Sequence, residues 1–324
     1  ELPLLDEDHI LGFDEIEVSK EDTKCKLAEK WISKTVVDTE LQVSEDDTQI
    51  HIKGREFAYT IDRRTALFTE MKFAGREYLN HPMELNIWRA PTDNDMYIKS
   101  EWKKAHYDKA YTRAYTTEVV QGKHGVKITS HASVVAETVQ KILDVTITWK
   151  IEAAGKIDAD IAVTKDDEFP DLPRFGVRMF LDKKLSAARY FGMGPQESYC
   201  DKHQAASHGL YHANVDDLHE DYIRPQENGS HYDCEYVELN NSRYGIVVSA
   251  ENAFSFNASY YTQEELEEKT HNYELTESDS VVFCVDYALN GIGSNSCGPV
   301  VLEQYRFDDV LFRFQFTLIP YVKG

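Results

Sequence analysis

Apolar and polar residues alternate with a period of two along much of this chain. Leu143, Val145, Ile147, Trp149 and Ile151 are apolar, with Asp144, Thr146, Thr148 and Lys150 between them. Successive side chains of a strand point to opposite faces, so this segment predicts a half-buried strand. Ile157, Ala159, Ile161 and Val163 repeat the pattern around Asp158 and Asp160. Ala153, Ala154 and Gly155 between the two runs predict a hairpin turn. Phe312, Phe314, Phe316 and Leu318 alternate with Arg313, Gln315 and Thr317, and shorter runs fall at 48–53, 57–61 and 126–132. Helical signals are sparse. Segment 20–34 places Leu27, Trp31 and Ile32 on one face but reads equally as linker, and 264–269 predicts a short charged turn of helix at most. Many strands and almost no helix predict an all-β fold, a large antiparallel sandwich, and not a doubly wound sheet.

One boundary is visible. Residues 1–18 end in the strand-like "FDEIEV", 19–41 are charged and aperiodic and read as linker, and 42–324 form the main β domain. An opening strand without a sheet of its own leaves an unpaired edge. The chain also opens on Glu1 and not on Met, so the expectation is a processed product, a trimmed chain or a piece of something larger.

Composition narrows the function. The 324 residues carry 57 acidic and 35 basic side chains, a net charge of −22, which speaks for solubility and against a nucleic-acid partner. Aromatics at 12% exclude disorder. Apolar runs such as "YGIVVSA" at 244–250 are far shorter than the ~20 residues that cross a bilayer, so no membrane partner is expected. The cysteines at 25, 200, 234, 284 and 297 are widely spaced with no CxxC pair, which predicts thiols in a reducing cytoplasm.

Candidate chemistry sits in loops. "NIWRAPTDND" at 86–95 packs polar side chains around one proline; it serves either as a rigid turn or as a hydroxyl-reading surface. "YFGMGPQESYCDK" at 190–202 and "YIRPQENGSHYD" at 222–233 interleave aromatics with Gln, Glu and Asn, as a sugar cleft does and as ordinary loop packing does. Gly192 and Gly194 do not complete a dinucleotide motif, because Glu197 stands at its last position. "NGIGSNSCGP" at 290–299 lacks the Lys-Ser/Thr helix of a phosphate cradle. The twelve histidines show no HxxxH or HExxH spacing, so no metal site is indicated. No local pattern selects a carboxylate pair for glycoside hydrolysis.

"RAPTDND", "GMGPQESYCD", "PQENG", "THNYEL" and "GIGSNSCGP", together with "DLPRFGVRMFL" at 171–181, occur in an order and spacing that resemble the C-terminal, small-chain domain of glycoside hydrolase family 2 β-galactosidases. "DEDHILGFDEIEV" at 6–18 resembles the last strand of the preceding immunoglobulin-like domain. The resemblance implies a galactose mutarotase-like super-sandwich that packs against a (β/α)₈ barrel or large subunit carrying both catalytic glutamates. No catalytic residue is then expected on this chain, nor a cofactor, with Mg or Na belonging to the barrel. The implied activity is hydrolysis of terminal β-D-galactosides such as lactose with retention, in an enzyme that is oligomeric when complete.

The same resemblance implies substrate-proximal positions: Asp93, Asn94 and Asp95 at the base of a flap, Tyr97 on it, and Asn295, Ser296 and Cys297 bordering the aglycone region. Cys297 stands at or next to the position where some family members place an aromatic, which implies a weaker aglycone grip unless Tyr97 or Trp102 compensates. Two rival readings are a free-standing carbohydrate-binding module and an aldose epimerase, for which His212 and His271 are candidates by their loop setting. A purely structural domain is the third.

Overall fold

The computed structural model describes residues 13–16, 41–293 and 297–323. Most of the expected opening strand and linker therefore lies outside the described residues, as does segment 20–34. Phe13–Ile16 has no regular secondary structure, and the Glu15 carboxylate accepts from the His208 amide at 2.9 Å.

Five short strands make a small antiparallel sheet: β1 (Gln42–Glu45), β2 (Gln49–Lys53), β3 (Phe57–Asp62), β4 (Leu67–Phe73) and β5 (Arg76–Glu77), paired in sequence order. Twelve strands make the second sheet: β6 (Leu79–Asn86), β7 (Tyr111–Gln121), β8 (Gly125–Val135), β9 (Leu143–Glu152), β10 (Ile157–Lys165), β11 (Arg174–Asp182), β12 (Ala187–Gly194), β13 (Ser207–Asn214), β14 (Ser230–Asn240), β15 (Tyr244–Ser259), β16 (Ser280–Leu289) and β17 (Leu311–Val322). All its pairings are antiparallel. The helices among the described residues are short: α1 (Ile98–Lys104), α2 (Gln263–Glu268) and a few 3₁₀ turns. This is the all-β antiparallel architecture that the alternation predicted.

The large sheet forks at β15. Its first part, Tyr244–Ser249, pairs with β17, and its last part, Ser255–Ser259, pairs with β16. One branch continues β17-β10-β9-β8-β7 and the other β16-β11-β6. Phe175 of β11 meets Phe312 of β17 across the interior, ring centroids 5.0 Å apart. β11 and β16 are buried on both faces, so they read as continuous apolar runs, while β9, β10 and β17 alternate.

The expected hairpin forms, with Asp160 opposite Thr148 and Gly155 in the turn at φ +90°. The small sheet closes over it: Tyr59 donates to the Gly155 carbonyl at 2.7 Å, and Trp149 donates to the Ala66 carbonyl at 2.8 Å. Trp149 is fully buried between Phe68 and Phe316, at centroid distances of 4.9 and 6.4 Å. Rings of that size in edge contact are the largest local contributions to a core.

Candidate functional site

The motif-bearing loops come from distant parts of the chain and meet at one end of the large sheet. After β6 the chain leaves the sheet through Ile87–Pro91 and makes a 3₁₀ turn at Asp93–Asp95. Arg89 is fully buried there. Its Nε and Nη2 donate to the two Asp95 oxygens at 3.1 and 2.7 Å, and Nη1 and Nη2 reach the carbonyls of Asn290 and Gly291. Asp95 also accepts from the Thr92 amide at 2.9 Å, which caps the turn. Two ionised groups without water are tolerable only when paired and hydrogen-bonded, and here every prong of the guanidinium has an acceptor.

Asn94 donates to the Ile292 carbonyl, and Asp201 accepts from the Ile292 and Gly293 amides at 3.0 and 2.7 Å. The Asp93 amide donates to Gln226 at 3.1 Å, and the Glu227 amide to the Ala90 carbonyl at 3.0 Å. Beneath them Arg174 of β11 takes Asp286 of β16 on Nε and Nη2 and Glu227 on Nη1, all three buried. Burial pushes the Glu227 carboxyl up, opposed by the guanidinium groups of Arg174 and Arg89. Loops 89–95, 197–201, 226–229 and 290–293 are thus one hydrogen-bonded body.

Asp95 is buried in its pair with Arg89, and Asn94 is half-buried against Ile292, so both hold the turn. Asp93 is exposed, as are Met96 and Tyr97, the last at 61%. Trp102 does not lie on the surface: α1 buries it completely, its Nε1 donates to the Asp171 carbonyl at 2.8 Å, and Arg89 lies 5.2 Å over its ring. The ring is therefore not available for the surface aromatic contact expected of it. Cys297 is exposed, while Asn295 and Ser296 lie outside the described residues. His212 lies exposed on β13 opposite Arg189. His271 sits beside Thr270 and Glu274 at a 3₁₀ turn.

The thiol of the network, Cys200, is not set up as a nucleophile. Burial pushes the Cys200 thiol up to about 12, which keeps it protonated at neutral pH. Among the described residues no three His, Cys, Asp or Glu side chains group as metal ligands. No helix there is long and apolar enough to cross a membrane. What the arrangement does is hold the exposed residues Asp93, Met96, Tyr97 and Gly293 on a rigid base. Sequence reasoning missed that Arg174, Asp286, Glu227 and Asp201 form this base. The available signal was charge inside two otherwise apolar runs, Arg174 and Arg178 in "LPRFGVRMFL" and Asp286 in "VVFCVDYAL".

The family model described as "Beta galactosidase small chain" matches residues 53–318. A β-galactosidase of Actinobacillus pleuropneumoniae is 43% identical over 316 residues, covering 98% of this chain and 30% of that protein. A β-galactosidase of Staphylococcus xylosus is 34% identical over 282 residues, covering 87% of this chain and 28% of that protein. Among solved structures, a galactose 1-epimerase from Lactobacillus acidophilus NCFM covers 87% of this chain and 98% of its own at 10% identity and a TM-score of 0.42, an overlap too low to bear on function. The chain spans about 30% of the length of the curated relatives it matches. It belongs to the β-galactosidase small-chain family.

Proposed function

We propose that this chain works as the C-terminal portion or small subunit of a β-galactosidase that hydrolyses terminal β-D-galactosides such as lactose with retention. Two carboxylates on the partner barrel carry out the double displacement, one attacking the anomeric carbon and the other protonating the leaving oxygen. Any Mg or Na of the enzyme sits with them in the barrel, and the complete enzyme is an oligomer. This chain supplies one wall and the flap of the active-site mouth. The observation that carries the reading is the convergence of four distant motif loops on Arg89, Asp201 and Arg174, which presents Asp93, Met96 and Tyr97 outward from a fixed base. A cytoplasmic setting fits Cys200, Cys234 and Cys284, none of which is in a disulfide.

The test is complementation. The 324-residue chain alone is expected to leave a chromogenic galactoside intact, and turnover is expected once the remainder of the enzyme is supplied. Turnover by the chain alone would overturn the division of labour. Full activity of the remainder without this chain would overturn its role at the mouth.

A further inference from the structure

The fork in the large sheet leaves a cavity. Between its two partners, β15 runs through Ala250–Ala253 paired with neither β17 nor β16. On its other side β14 pairs Tyr236 with Ser249 and Cys234 with Phe254, so one residue of β14 stands opposite four of β15. A bulge of this size re-aims side chains and bends the strand, and such bulges gather next to functional sites. The wedge behind it holds about 390 Å³, within the range of ~300–1,000 Å³ typical of small-molecule sites.

The walls of this wedge have a definite chemistry. Half-buried Tyr232, Tyr287 and Tyr305 line it, with Phe254 and Phe307 buried behind them. Tyr287 has one face stacked on Phe312 at 4.9 Å and Tyr232 one on His203 at 5.6 Å, so both rings are held in place. Neither the Tyr232 nor the Tyr287 hydroxyl makes a hydrogen bond to a protein group among the described residues. A phenol that is half-buried and unpaired is a donor and acceptor waiting for a partner in the cavity. The exposed amides of Asn252 and Gln304 stand at the rim.

Charge selects against anions. Arg306 is taken up by Asp171, Nε to Oδ2 at 2.7 Å and Nη2 to Oδ1 at 3.1 Å, so no guanidinium is spare for an anion. Asp233 lies 3.0 Å from His208, and the other carboxylate on the wall, Asp309, has its proton affinity raised by burial and by the neighbouring Asp308. Flat rings, uncommitted hydroxyls and amides, and no spare cation match a pyranose, which has apolar C–H faces and a rim of neutral hydroxyls.

We propose that this cavity, at the fork between β15, β16 and the 303–309 segment, is a binding site for a neutral saccharide that adjoins the Arg89 network through Tyr199 and Cys200.

The test is saturation-transfer NMR on the complete enzyme, with lactose as the probe and the catalytic site filled beforehand by a galactose-configured iminosugar. Lactose signals are expected to persist under the iminosugar. In the Tyr232→Phe/Tyr287→Phe double variant, which keeps both rings and loses only the hydroxyls, they are expected to weaken at least about fivefold, the scale of one hydrogen bond. An unchanged melting temperature of the variant verifies that the fold is intact. Loss of all lactose signal under the iminosugar overturns the proposal, and so does a signal undiminished in the double variant. Turnover of a chromogenic galactoside by the unmodified enzyme, measured without the iminosugar, reads the functional proposal separately. If turnover is absent, the galactosidase reading fails, and the comparison of variant with parent still decides the cavity.

Discussion

Arg174 and Asp286 stand on neighbouring buried strands and meet through two parallel bonds, Nε to Oδ1 at 3.1 Å and Nη2 to Oδ2 at 2.5 Å. The remaining prong, Nη1, goes to Glu227 at 3.1 Å. One cation therefore ties two central strands to the 226–229 loop. Asp286→Ala should lower the unfolding free energy by about 3–5 kcal/mol, because it strands a buried charge. Arg174→Met should cost a similar amount at pH 7 but less at pH 5. Without the guanidinium the two carboxylates can escape their penalty by taking up protons, which raises their folded-state affinity for protons above the unfolded value. Urea unfolding at the two pH values checks this; equal losses for Arg174→Met at both would contradict it.

His231 makes stability depend on acidity. Burial holds its imidazole down at about 4, and its Nδ1 lies 3.2 Å from the Met193 carbonyl while Nε2 has no partner. The ring is neutral in the folded protein. The unfolded chain binds a proton there below about 6.5. Stability from this group is present above pH 6.5 and is lost as pH falls toward 4, by an amount on the order of 3 kcal/mol. His231→Gln should flatten the pH dependence of unfolding in that window by about one proton. A slope unchanged by the substitution would count against this account.

Gly155 is held in a conformation that other residues avoid. At φ +90° an added methyl would also sit 3.0 Å from the rings of Phe57 and Phe73. Gly155→Ala should cost about 1–3 kcal/mol and loosen the small sheet from the hairpin. Hydrogen exchange at Trp149 Nε1, whose bond to Ala66 lies in the same contact, should speed up.

Cys297→Trp tests the mouth. In the complete enzyme the indole should add an aromatic contact worth roughly 0.5–1.5 kcal/mol and lower the KM for lactose about two- to tenfold. An unchanged or raised KM would place residue 297 away from the aglycone.

Local periodicity made most of the large sheet legible. The hairpin at 143–165 and the last strand follow from alternation alone, because each has one wet face. β11 and β16 have none, so their pattern carries no period, and only charges such as Arg174 and Arg178 on one and Asp286 on the other interrupt it. The fork at β15 could not be read at all. A sixteen-residue strand that changes neighbours halfway looks like any long apolar run, and partner choice is set by contacts far away in sequence. The loops at 86–95, 190–202, 222–233 and 290–299 were legible as chemistry-bearing, but not their joint anchoring, since Arg89 reaches 201 positions to Asn290. α1 was missed because its seven residues bury one side chain and show no amphipathic stripe.

That one side chain sets a mechanical limit. Trp102 pins α1 near its end, and Tyr97 stands five residues upstream, about 7.5 Å away at 1.5 Å rise per residue and only two residues after Asp95, which Arg89 holds. Tilting the helix about the indole by roughly 0.2 radian carries Tyr97 only about 1.5 Å. If this rim is the proposed flap, so short an arm would let it adjust its fit around a substrate but not sweep open and shut. Discrimination at this rim would then come from its resting shape, and ligand entry would not wait on a large closing stroke.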